Sequence, residues 1–158
     1  MVSWCTRCKA LLLAALAVLS GGALAEANCW RDAGARHQVD PLLLYSIAKV
    51  ESSLNPRAIN YNKNGSHDIG LMQINSQHLP ALSQRGITRQ RLLDDPCLSI
   101  QVGASILSGF IQRYGYTWRA VGAYNAGGAA ARETARQRYV DKVWREYLQL
   151  RAERRRDG

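Results

Sequence analysis

DPLLLYSIAKVESSLNP, residues 40–56, sets the character of the chain. Asp40 is placed to cap a helix, and Pro41 takes the first helical position, where its missing N–H costs nothing. Leu43, Ile47, Val50 and Leu54 then fall at i, i+4, i+7 and i+11, a single apolar stripe. Asn55-Pro56 disfavours further helix, so the spacing predicts an end near Ser52-Ser53. Glu51 stands in the last turn and is the only acid between Asp40 and Asp68. A carboxyl among apolar neighbours loses hydration of its charged form, and its pKa rises. A raised carboxyl is what a general acid at neutral pH requires. A glutamate on a helix edge is also read as a plain solvated one, and Glu51 by itself leaves both readings open.

Outward from this helix the signals stay helical. Residues 27–37 predict a short helix carrying Cys29 and Trp30. Residues 55–68, NPRAINYNKNGSHD, are polar and turn-rich and predict a loop or a small irregular hairpin. Residues 69–79 return to apolar periodicity. Asp95-Pro96 repeats the Asp-Pro start and opens a long helix to about Tyr114, which Gly115 stops. A short helix is expected over 117–123 and a last one over 133–151, with Tyr139, Val140, Val143, Trp144, Tyr147 and Leu148 at helical spacing. The charged tail, residues 152–158, is expected to fray, with Arg154, Arg155 and Arg156 solvated. There are no repeats and almost no strand alternation. These signals predict one mostly α-helical domain with a loop-rich middle, over residues 26–151.

The first 25 residues read as an address. Arg7 and Lys9 precede an apolar run, ALLLAALAVL at 10–19, and Ala23-Leu24-Ala25 follows. A basic start, a short apolar core and an A-x-A end make a secretory signal peptide, and a run of ten is short of the ~20 residues a bilayer span needs. Cleavage is expected after Ala25, with export to the periplasm. The chain has 158 residues, 21 Lys+Arg against 12 Asp+Glu and a net charge of +9, which falls to +7 once Arg7 and Lys9 are removed. Such a chain seeks a polyanion. Export argues against nucleic acid. Cys5 and Cys8 leave with the address, and Cys29 and Cys97 most simply form one disulfide in an oxidising compartment.

Several chemistries are excluded. No phosphate-cradling G-x-x-x-x-G-K-[ST] loop is present, and His37, His67 and His78 form no H-E-x-x-H pair, so neither a cofactor nor a metal is expected. G-x-S-x-G and C-x-x-C are also absent from residues 26–158. Three segments bear on Glu51 instead: DIGLMQIN at 68–75, AYNAGG at 123–128, and Tyr139-Val140 with Val143. Amides and a tyrosine hydroxyl suit sugar hydroxyls and N-acetyl groups. Each segment taken singly is equally a cap or a turn.

Taken in order, E-S-S-x-N-P, G-L-M-Q-I-N, A-Y-N-A-G and Y-V-x-x-V resemble the lytic transglycosylases of the soluble Slt/goose-lysozyme type. More narrowly, the chain is similar to the small accessory muramidases of type III and type IV secretion systems and pili. The resemblance covers about residues 28–148. It implies a lysozyme-like α fold with a substrate cleft for peptidoglycan glycan. Glu51 matches the catalytic glutamate, which would protonate the glycosidic oxygen between N-acetylmuramic acid and N-acetylglucosamine. Acting next as a base, it would help the muramic C6 hydroxyl to close a 1,6-anhydro ring. Ser53, Gln73, Tyr124 and Asn125 match positions that line the site, and Met72 matches an apolar residue near the carboxyl. Asp68 follows Glu51 by 17 positions, so a retaining hydrolase is a second possibility if the two carboxyls lie ~5–5.5 Å apart; otherwise Asp68 is a loop cap. The implied partner is the acidic glycan mesh, with a secretion-system or pilus component beside it, and the enzyme is expected to be a monomer. A non-catalytic wall-binding assembly module is the other reading of the charge, and an intact Glu51 argues against it.

Overall fold

Two Asp-Pro pairs open the helices around which the fold is arranged. The structure, a computed structural model, describes residues 28–156, and the expected signal peptide and its cleavage site lie outside the described residues. Helix α1 covers 28–37. Helix α2 is Pro41–Ser52, and the Asp40 carboxylate accepts from the Leu42 amide at 2.8 Å. Helix α5 is Pro96–Tyr114, capped likewise by Asp95 on the Leu98 amide at 2.9 Å and ended by Gly115 at φ 73°. Between them lie strands β1 (Ile59–Tyr61), β2 (His67–Ile69) and β3 (Ile74–Asn75), then α3 (Leu79–Ser83) and α4 (Arg89–Asp94). Helices α6 (Trp118–Ala126) and α7 (Glu133–Arg156) close the chain.

The strands form an antiparallel sheet of order β1-β2-β3, with Asn60 opposite Asp68 and Asp68 opposite Asn75. The expected hairpin over 55–68 is therefore present and gains a third strand. Strands of three, three and two residues are too short to show alternation, which is why the sequence did not announce a sheet.

Helix α7 packs on α2 and α6, and α6 packs on α5. Leu44 and Ile47 of α2, Ile100 and Leu107 of α5 and Val143 of α7 are fully buried, together with Ile69, Leu71, Met72 and Ile74 from the sheet region. Leu43 and Ile47 of the predicted stripe are in this core, while Val50 and Leu54 pack partly buried against it. A Cβ on Gly103 would stand 2.8–2.9 Å from three atoms of the Met72 side chain, so α5 admits Met72 only because that position is glycine. Cys29 of α1 and Cys97 in the first turn of α5 are joined by a disulfide.

Two expectations change. Helix α7 does not end at 151; it continues through the charged tail to Arg156. Arg, Ala and Glu are strong helix formers, arginines suit a helix C-terminus, and the Gln149 amide donates to Glu153 one turn on at 3.1 Å. Trp144 and Leu148 share the spacing of the buried residues yet remain 40% and 41% exposed.

Candidate active site

The end of α2 determines where Glu51 points. Ser53 and Leu54 both take left-handed backbone, at φ 53° and 63°, and turn the chain sharply out of the helix. The Ser53 amide donates to the Lys49 carbonyl at 3.0 Å, and the Ser52 hydroxyl reaches across to the Leu71 carbonyl at 2.7 Å. The last turn of α2 is thus pinned to the segment between β2 and β3.

Helix α7 supplies Tyr139, whose hydroxyl donates to Glu51 Oε1 at 2.7 Å. Helix α6 supplies the Asn125 side chain, a second hydrogen-bond partner of the carboxyl. Burial pushes the Glu51 pKa up from 4.5 to about 7; the Tyr139 bond opposes the rise, the charge of Asp68 adds to it, and Asn125 and Lys142 oppose it. Glu51 is therefore shared between its acid and base forms near neutrality. Burial also raises the hydroxyls of Tyr124 and Tyr139 well above the ordinary tyrosine range, and the Glu51 charge adds to this. Both stay protonated and donate.

Glu51 opens onto a cleft of about 610 Å³ between the sheet and α5–α6. One wall carries Asn62, Asn64, Asp68 and Asn75, and the other carries Phe110 and Asn125. Both oxygens of Asp68 are engaged, one by Asn62 Nδ2 at 2.9 Å and the other by Asn75 Nδ2 at 2.7 Å. Gln73 also borders the cleft, but its amide is committed to structure. Its Nε2 donates to the Gly70 and Ala58 carbonyls at 2.8 and 3.2 Å, and its Oε1 accepts from Asn60 at 2.7 Å. Tyr124 lines the cleft too, while its hydroxyl donates to the Met72 carbonyl at 2.8 Å.

Two residues named from the sequence do not line the cleft. Ser53 is the exposed cap of α2 and does not line the cleft; its neighbour Ser52 makes the tertiary bond. Met72 is fully buried against Gly103, and its backbone carbonyl rather than its thioether serves the site by holding Tyr124. Asn75 closes the DIGLMQIN segment singled out from the sequence, whereas Asn62, Asn64 and Phe110 were not singled out. The recurrence of asparagine through 60–75 was the available signal for Asn62 and Asn64, and Phe110 reaches the cleft from α5. Among the described residues no group of three His, Cys, Asp or Glu is placed to hold a metal ion, and no helix is long and apolar enough to cross a membrane.

Comparison with known proteins gives the chain its family and fold relatives. The chain is 50% identical over 126 residues to the invasion protein IagB of Salmonella typhimurium, covering 80% of this chain and 79% of that one. It is 42% identical over 130 residues to protein IpgF of Shigella flexneri, covering 82% and 86%. It is 40% identical over 133 residues to a peptidoglycan-binding-like protein of Escherichia coli O157:H7, covering 80% of each. In fold it matches an inactive mutant of the lytic transglycosylase Slt from Pseudomonas aeruginosa, with a TM-score of 0.61 and 23% identity over 76% of this chain and 22% of that one. The sequence profile described as the Transglycosylase SLT domain matches residues 28–146, and the chain accordingly belongs to the SLT lytic transglycosylases, enzymes that cleave the glycan of peptidoglycan.

Proposed function

We propose that this enzyme cleaves the β-1,4 bond between N-acetylmuramic acid and N-acetylglucosamine with Glu51 as its single general acid and base. The observation that carries the reading is a carboxyl held near pKa 7 at the edge of a cleft lined with amides. In the first step the Glu51 proton moves to the glycosidic oxygen as the C1–O bond breaks, and the N-acetylglucosamine side departs as an alcohol. Tyr139 and Asn125 donate to the carboxylate that this leaves behind. In the second step that carboxylate takes the proton of the muramic C6 hydroxyl while O6 bonds to C1. The product is a 1,6-anhydro end, no water is consumed, and Glu51 is again protonated.

Asp68 supports a second reading, a retaining hydrolase, because it lines the same cleft and its charge acts on Glu51. The two bonds that occupy its oxygens favour a supporting role, in which its negative charge keeps Glu51 protonated. Digestion of purified sacculi followed by mass spectrometry of the muropeptides separates the two. Anhydro ends are expected. Reducing ends would transfer the assignment to the hydrolase, and no soluble product would defeat both.

We further place the enzyme in the periplasm, beside a secretion machine or pilus whose passage needs local gaps in the wall. The signal-like residues 1–25 support export, and the name of the invasion-protein relative supports the setting.

A further inference from the structure

Glu51 borders a second hollow. A recess of about 270 Å³ adjoins the main cleft across Glu51 and Asn125, which line both. Its other walls include Tyr139, Arg138 and Lys142 of α7. Arg138 and Lys142 stand four residues apart and so lie on one face of the helix, a spacing at which like charges repel by a few tenths of a kcal/mol. Both are exposed, and neither is paired with a carboxylate among the described residues. Two other cations of these helices do have carboxylate partners: Lys49 pairs with Glu146, and Arg136 with Glu133 at 2.5 Å.

The two hollows differ in chemistry. The main cleft, more than twice the volume, is lined largely by neutral amides, which suit sugar hydroxyls and acetamido groups, and its cations Lys63 and Arg132 share it with the engaged Asp68. The recess offers a guanidinium and an ammonium. A guanidinium presents a planar fork that matches a carboxylate, and an ammonium adds a point charge. Glycan stripped of its peptides keeps one carboxylate per muramic residue, that of the lactyl group held close to the sugar ring. The peptide carried on the muramic lactyl group ends in free carboxylates.

Given the proposed cleavage at Glu51, on which this rests, we propose that Arg138 and Lys142 form a carboxylate-binding subsite that takes the acidic peptide branch beside the scissile bond. The enzyme then cuts peptide-bearing glycan in preference to stripped glycan.

The test compares kcat/KM on two substrates at one pH and salt: purified glycan strands with their peptides, and the same strands stripped by an amidase. The wild type is expected to favour the peptide-bearing strands by about three- to tenfold, the range that one or two partly exposed ion pairs produce. In Arg138→Gln/Lys142→Gln that ratio falls toward one. Glutamine is a good helix former and both positions are exposed, so the fold should survive. Lys142 also acts on the ionisation of Glu51, so absolute rates will change, but the ratio of substrates cancels that effect. Arg154→Gln/Arg155→Gln removes the same charge outside the recess and should keep the preference. A wild type without preference, a double variant that retains it, or an equal loss from the tail variant would each overturn the subsite. A wild type that cleaves neither substrate would instead defeat the proposed reaction itself.

Discussion

Glu51 works against the stability of the chain that holds it. Its pKa is about 7 in the fold against an ordinary 4.5. Between those values the folded chain keeps a proton that the unfolded chain has released, so stability falls as pH rises through the window and levels off at a cost of ~3 kcal/mol above it. Glu51→Gln should therefore melt at a higher temperature than the wild type at pH 8, with the gap closing toward pH 4. The same substitution should lower turnover by ~10²–10⁴-fold, the usual share of a general acid. Calorimetry at two pH values, alongside muropeptide release, checks both. Tyr139 acts in the opposite sense, since its hydroxyl favours the carboxylate. Tyr139→Phe should raise the Glu51 pKa, so the loss of activity on the alkaline side, centred near pH 7 in the wild type, moves to higher pH. An unmoved limb in the pH–rate profile would show that Glu51 is not the titrating acid.

At the scale of elements, the loop between α6 and α7 hangs on one buried arginine. Arg136 is 2% exposed, and its guanidinium donates to the carbonyls of Gly127 and Ala129, both at 2.8 Å, as well as to Glu133. Gly127 lines the cleft, so this anchor shapes one rim of the site. Arg136→Met keeps much of the volume but leaves both carbonyls without that donor, and should cost ~2–4 kcal/mol of stability. It should also raise KM more than it lowers kcat, because the loop borders the cleft while Glu51 sits on another helix. Arg136 carried no signal in the sequence; it reads as one more arginine of a charged helix. The Asp-Pro pairs at 40–41 and 95–96 did make α2 and α5 legible, because cap chemistry is local. The sheet was not legible, because its pairing joins residues up to ten positions apart through very short strands. Glu51 and Asn125 were legible through ordered motifs. Met72 and Ser53 show where that route fails: a motif gives the place, but not whether backbone, side chain or a neighbour does the work.

In the molecule as a whole, the bond between Cys29 and Cys97 fastens α1 to the first turn of α5, closing a loop of 68 positions. A closure of that length is worth ~4 kcal/mol in the chain-entropy account. Cys29→Ser/Cys97→Ser should unfold at correspondingly lower denaturant, while the wild type in reductant should approach the same midpoint. A coincident midpoint for oxidised and reduced wild type would show that the bridge contributes nothing. The candidate site spans longer distances still. Tyr139 and Glu51 are 88 positions apart, and Asn125 comes from a third helix.

That long reach has a consequence for the cell that makes the protein. The acidity of Glu51 at neutral pH is a property of burial, and burial needs α2, α6 and α7 docked together. A chain still being synthesised or clipped before α7 carries only an ordinary, ionised glutamate. With Glu51 as the proposed acid, wall-cutting power is a late event in the life of each copy, and half-made or damaged copies are born disarmed.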